Sequence, residues 1–158
     1  MTWSTGSERI RELLEAGELE EVEPSLDVAR RLLTDAEQHL ASARTIATAG
    51  DLTGAYQLAY DALRKTAASL LAAQGLRATS RGGHIAVQEA VIAQFGDGAR
   101  VFRAFGRLRR NRNRFEYPGD AASEPTAEDV DDALQVASEA ADKSTTILDR
   151  GVLGPWRS

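Results

Sequence analysis

The chain has 158 residues, a length that suits one domain with one core, and it combines 42% hydrophobic residues with only 6% aromatics and a formal net charge of −5. The absence of cysteine excludes disulfides and thiolate metal ligands, and no apolar run reaches the ~18–20 residues of a membrane span. The opening MTWSTGSERIRELLEAG lacks the basic-then-apolar order of a secretory signal, so a cytoplasmic protein is expected; arginine outnumbers lysine seventeen to two, a bias of GC-rich bacterial genomes.

Ser7 to Ala16 predicts a short helix with Ser7 as its cap, Gly17 as its stop, and Ile10, Leu13 and Leu14 as its apolar face. The acidic ELEEVEPS that follows, closed by Pro24, reads as a linker, so residues 1–25 are expected at the periphery of the core. From Leu26 to Gly50 the apolar residues Ala29, Leu32, Leu33, Ala36, Leu40 and Ala43 recur at helical spacing, with His39 beside the stripe as a partly exposed helix residue. Asp51 caps a second long helix that runs to Gln74 and stops at Gly75. The connection is so short that the two helices form an antiparallel hairpin, with Tyr56 and Tyr60 as core aromatics on its inner face.

A loop from Leu76 to Gly83 then leads into a helix that starts at His84 and carries Ile85, Val87, Val91, Ile92 and Phe95. Ser80-Arg81-Gly82-Gly83 suits an anion in outline, but the Gly-Lys-Ser/Thr of a nucleotide loop and a preceding strand are both missing. Gly96-Asp97-Gly98 turns the chain into RVFRAFGRLRRNRNRFEYP (Arg100–Pro118), which holds seven arginines before its one acid, Glu116. After a loop from Asp120 to Pro125, Thr126 and Asp129 form a capping box for a last helix that reaches Leu148 with an acidic outer face, and residues 151–158, with Trp156, read as a tail. The fold class is all-α: an antiparallel bundle of four to five main helices at residues 26–150, preceded by the short N-terminal helix.

The arginine segment stands out because the rest of the chain is acidic. With Val101 at zero and about 100° per residue, Phe105, Leu108 and Phe115 form one apolar stripe with Phe102 on its flank, while Arg103, Arg107, Arg110 and Arg114 lie opposite. Arg112 falls at ~20°, inside the stripe, with Glu116 one turn on. A guanidinium on a core-facing line needs a partner or a cleft. Two readings follow: an Arg112–Glu116 pair closing the helix end, or a polar pocket or subunit interface built around Arg112.

Metal binding is not expected, since the two histidines are far apart and no HExxH, paired-acid or Cys/His spacing is present; no cofactor motif and no acyl-transfer set occur either. What remains is arginine with polar neighbours. That chemistry holds phosphates and supports RNA cleavage, in which the RNA's own 2′-hydroxyl is the nucleophile.

The stretches AYQLAYDALRKTAASLLAAQGLR (Ala55–Arg77), RGGHIAVQEAV (Arg81–Val91) and LRRNRNRFEYP (Leu108–Pro118) resemble the HEPN superfamily over about Leu26 to Leu148. That resemblance implies a small helical bundle that dimerises, with many members acting as metal-independent ribonucleases of toxin and phage-defence systems. The family signature is Arg, often followed by a polar residue such as Asn, then His after four to six positions. Arg112-Asn113 matches its first half, but Tyr117 stands where the His would, and the alternative start at Arg110-Asn111 also finds no His. The implied site is Arg112, Asn113, Glu116 and Tyr117, with Arg107, Arg109, Arg110 and Arg114 holding RNA and His84 as an accessory group from another helix. Three functions are open: an RNA-binding protein with ribonuclease activity, a non-catalytic dimeric module for an antitoxin or nucleotidyltransferase, and a solvated arginine face paired with the acidic last helix.

Overall fold

The computed structural model describes residues 3–119 and 123–156, so the loop expected at 120–125 lies partly outside the described residues, as does the end of the tail. In chain order, α1 (Ser7–Glu15) and β1 (Leu19–Glu21) precede the hairpin of α2 (Leu26–Thr48) and α3 (Leu52–Gln74). Strand β2 (Leu76–Ala78), α4 (Gly83–Phe95), a 3-10 turn (Arg100–Ala104), α5 (Phe105–Glu116) and α6 (Ala127–Asp149) complete it. The bundle is helical, as its periodicities dictate, apart from the small β1–β2 ribbon. Among the described residues no helix is long and apolar enough to cross a membrane.

Helix α3 is the axis of the bundle and meets α2, α4, α5 and α6. Its alanines, including Ala55, Ala59, Ala62 and Ala67, are fully buried and let neighbouring backbones approach, while Tyr56, Tyr60, Leu63 and Leu70 fill the remaining volume. Burying each large side chain contributes about 1.5–3 kcal/mol. The local signals hold: Asp51 Oδ1 accepts from the Gly54 N–H at 2.8 Å, Gly75 ends α3 at φ 81°, and the Thr126–Asp129 capping box is complete. Ser7 does not cap α1; Gly6 occupies that position and no side chain caps the helix.

Among the described residues, the segment 3–25 contributes to the core rather than lying beside it. Ile10, Leu13 and Leu19 are buried, and Arg9 of α1 pairs with Glu89 of α4. The expected acidic linker contains β1, which pairs antiparallel with β2 with Leu19 opposite Ala78 and Glu21 opposite Leu76. Three residues are too few to show alternation, so the strand leaves no periodic signal. The expected tail also folds back: Leu153 and Trp156 are buried, and the Trp156 N–H donates to the Gln74 carbonyl at 2.9 Å.

The segment after Gly98 is not one uninterrupted α-helix. Its first turn is a 3-10 turn, with three residues per turn rather than 3.6. That tighter winding brings Phe102 into line with Phe105, so Phe102 is fully buried instead of flanking the stripe.

Candidate functional site

Helix α5 lays Phe105, Leu108 and Phe115 against the core. The Phe115 ring meets Tyr56 edge-on with centroids 5.0 Å apart, and Phe105 meets Tyr60 in the same way at 5.8 Å. These contacts fix the rotation of α5, and that rotation decides where each arginine goes. Tyr56 and Tyr60 are core residues, as their spacing predicts, but the Tyr60 hydroxyl has a further role.

On the outer face Arg107 pairs with Asp132 of α6, and Arg103 with Asp97 at 2.5 Å. The expected contact with the acidic last helix is therefore made by Arg107. Arg110 and Arg114 are exposed, and neither has an ion pair among the described residues; Arg114 lies over the Phe115 ring at 5.0 Å. Arg109 is partly buried, and its Nε donates to Gln88 Oε1 of α4 at 3.0 Å. Gly106 makes room for this contact, because a Cβ there would lie 2.9 Å from the Gln88 amide nitrogen.

Arg112 is on the inner line. Its side chain is 19% exposed and pairs with Glu116 at 2.8 Å, so the i,i+4 pair exists. A polar neighbourhood exists as well. The guanidinium lies 5.8 Å from the Tyr60 ring centroid, and its Nη1 donates to Asn113 Oδ1 at 3.1 Å. The Nε atoms of Arg112 and of Arg64 are buried with no hydrogen-bond partner among the described residues. Tyr117 is 73% exposed, and its backbone N–H caps the helix on the Asn113 carbonyl.

His84 enters this neighbourhood from the first turn of α4. Its Nδ1 and the Tyr60 hydroxyl are 3.1 Å apart, and the two rings lie 5.7 Å apart. Two backbone features hold the turn in place. Thr79 anchors it through the Gly82 N–H to its Oγ1 and the Gly83 N–H to its carbonyl. Gly82 itself approaches β1 so closely that a Cβ would lie 2.1 Å from the Glu18 carbonyl oxygen. Among the described residues no side chain caps α4, and its first turn holds no acid of its own.

The electrostatics follow from burial and three cations. Burial first, then the Arg64 and Arg112 guanidiniums, hold His84 below the ordinary imidazole pKa; Asp61 opposes them and Arg109 adds to them. Burial pushes Tyr60 up to about 12, against the pull of the same three arginines. At neutral pH the pair is therefore an imidazole and a phenol, both uncharged, among Arg64, Arg109 and Arg112. Arg64 is only loosely held, with Asp61 at 3.6 Å.

Of the residues expected from the sequence, His84 and Arg112 lie against Tyr60, Arg109 acts on it through its charge, and Asn113 and Glu116 are bound to Arg112. Arg107 is engaged by Asp132, and Arg110, Arg114 and Tyr117 are exposed. Tyr60, Arg64 and Gln88 are the members that sequence reasoning missed. Tyr60 and Arg64 lie one turn apart on α3, a spacing that would have flagged a polar edge on an otherwise apolar helix.

No curated protein and no solved structure matches the chain. The family model described as the HEPN domain matches residues 29–144, from the start of α2 to well into α6. That match spans most of the chain and includes α3, the first turn of α4 and α5, and it shows that this chain belongs to the HEPN family.

Proposed function

We propose that the protein binds the phosphate backbone of single-stranded RNA, with Arg112 as the central contact and Arg64 and Arg109 beside it. The observation behind this reading is the largely buried Arg112 guanidinium 5.8 Å from the Tyr60 ring centroid, beside the Tyr60–His84 contact, with the charges of Arg64 and Arg109 also acting on both groups. Asp61 and Glu116 offset part of that charge and leave a surplus of one cation. Guanidinium matches phosphate by charge and by its forked donors, and the buried Nε atoms of Arg64 and Arg112 have no hydrogen-bond partner among the described residues. Exposed Arg110 and Arg114 extend the basic surface along the strand, whereas Arg107 is occupied by Asp132 and contributes less. Family membership supports an RNA-related role, and a place in a bacterial toxin or defence system belongs to the same reading.

The test is fluorescence polarisation with a labelled random-sequence single-stranded RNA. Arg112→Ala is expected to lose about tenfold or more in affinity, as for loss of a charge-assisted contact of ~1.5–3 kcal/mol. Arg107→Ala is expected to stay within about twofold. Equal affinities for wild type and Arg112→Ala would refute the assignment.

A second reading is a non-catalytic dimeric module that docks an antitoxin or a nucleotidyltransferase. It is favoured by the closure of Arg112 onto Glu116 and by Tyr117, well exposed, at the position of the signature histidine. Light scattering decides it: a folded Arg112→Ala monomer beside a wild-type dimer would assign Arg112 to an interface.

A further inference from the structure

We propose that the cavity between the α2–α3 hairpin and β2 binds a medium-chain fatty carboxylate whose headgroup pairs with Arg64, and that this pairing weakens RNA binding at the neighbouring phosphate site. The cavity stands on its own geometry; the effect on RNA rests on the phosphate-binding reading.

The cavity has a volume of about 640 Å³, within the range of small-molecule sites. Its walls are aliphatic: Val28 and Leu32 from α2, Ala68 and Leu71 from α3, Leu76 from β2 and Val87 from α4. Leu71, Leu76 and Val87 are buried, whereas Val28 is 50% exposed and stands at the solvent side. Arg64, Ala68, Leu71 and Ala72 recur at helical spacing, so a single face of α3 runs along the cavity. None of the described residues lining it is aromatic. A nucleobase or other planar ring would find nothing to stack on, whereas an alkyl chain would bury its methylenes against branched side chains.

Charge sets which end of the chain goes where. Of the two arginines at the cavity, Arg77 is held by Glu20 at 2.8 Å. Arg64 is not so held. Its ionic partner Asp61 stands 3.6 Å away, beyond hydrogen-bonding distance, and its buried Nε has no hydrogen-bond partner among the described residues. Glu23, an exposed acid, lines the opposite end. The Val22 N–H donates to the Gly75 carbonyl, which sets Glu23 beside the C-terminus of α3, ~16 Å along the helix from Arg64. A carboxylate is therefore repelled at one end and drawn to the other, where the guanidinium can donate to both of its oxygens.

Arg64 also belongs to the other site. It lies one turn from Tyr60 on α3, and its charge acts on Tyr60 and His84. A carboxylate on Arg64 cancels the surplus cation there and occupies donors that a phosphate would use. The two ligands thus compete for one side chain without sharing a cavity, and the coupling is equal in both directions.

Calorimetric titration of the full chain with octanoate, decanoate and octanol, each kept monomeric in solution, tests the cavity. Each methylene buried should tighten binding about fourfold, so decanoate should bind about tenfold or more tighter than octanoate. Octanol should bind about tenfold more weakly than octanoate, and Arg64→Gln should remove that difference. Ala68→Phe, which fills the cavity, should abolish decanoate binding. Should that variant fail to fold, Val28→Asp at the solvent side is expected to weaken decanoate about tenfold. Equal affinities for octanoate and octanol, or decanoate binding that survives both substitutions, would overturn the cavity assignment. Fluorescence polarisation with the random-sequence RNA tests the coupling. Saturating decanoate should weaken wild-type RNA affinity about fivefold, while the RNA affinity of Arg64→Gln, lower from the start, should not respond. Unchanged wild-type RNA affinity while decanoate binds overturns the coupling and leaves both sites standing. Wild-type failure to bind RNA without decanoate overturns the phosphate site and the coupling with it, whereas the cavity stands or falls on the calorimetry.

Discussion

The two faces of α5 carry the same residue type in two physical states. On the outer face Arg103 and Arg107 pair with Asp97 and Asp132 with both partners about half exposed or more, so water competes for each charge. On the inner face Arg112 and Glu116 are 19% and 27% exposed, beside a buried tyrosine and a half-buried histidine. A charge there is screened less and acts on its neighbours, as the lowered pKa of His84 records. Counting arginines would rank the outer face first. Burial ranks Arg112 first, because removing a partly buried partner leaves a desolvated group behind, whereas removing a solvated one leaves water in its place.

Four substitutions sharpen or break this contrast. Gly82→Ala has the largest expected effect on stability, about 1–3 kcal/mol in urea denaturation, because its Cβ would collide with the Glu18 carbonyl and displace the turn that carries His84. Arg112→Met is expected to cost about 1–2 kcal/mol, since Glu116 is left partly buried without its cation. Tyr60→Phe removes the partner of His84 Nδ1 while keeping the ring packing, at about 0.5–1.5 kcal/mol. Arg107→Ala on the outer face should cost less than about 0.5 kcal/mol and fade further in high salt. A cost for Arg107→Ala equal to that of Arg112→Met would erase the distinction between the faces.

The pH dependence gives a finer comparison. The folded state holds His84 below its unfolded pKa of 6.5, so the unfolded chain binds the proton more readily. His84 therefore lends its full contribution above that value, and stability falls as pH drops from there through the lowered folded pKa. His84→Gln should flatten this part of a stability–pH curve.

What the sequence disclosed is what local periodicity encodes. The caps at Asp51, Gly75 and Thr126 depend on neighbours within four residues, and each was legible. Arg112 was legible too, because a helix of known phase places it on the buried line whatever packs there. Phe102 was misplaced because a 3-10 turn changes the phase, and β1 was hidden because three residues carry no alternation. The Tyr60–His84 contact spans 24 residues and depends on how the Thr79–Gly83 turn closes against β1. Nothing periodic encodes that closure, so although His84 was legible as an accessory group from another helix, its contact with Tyr60 could be met only in three dimensions.

The most direct test of the central claim is the salt dependence of RNA affinity for wild type, Arg112→Ala and Arg107→Ala. If Arg112 binds a phosphate, its removal should weaken affinity and reduce the magnitude of the slope of log K against log salt by about 0.7, the value for one contact to a single strand, while Arg107→Ala follows the wild-type line. Three coincident lines, or a slope change for Arg107→Ala alone, would contradict the account and move the functional surface to the outer face of α5.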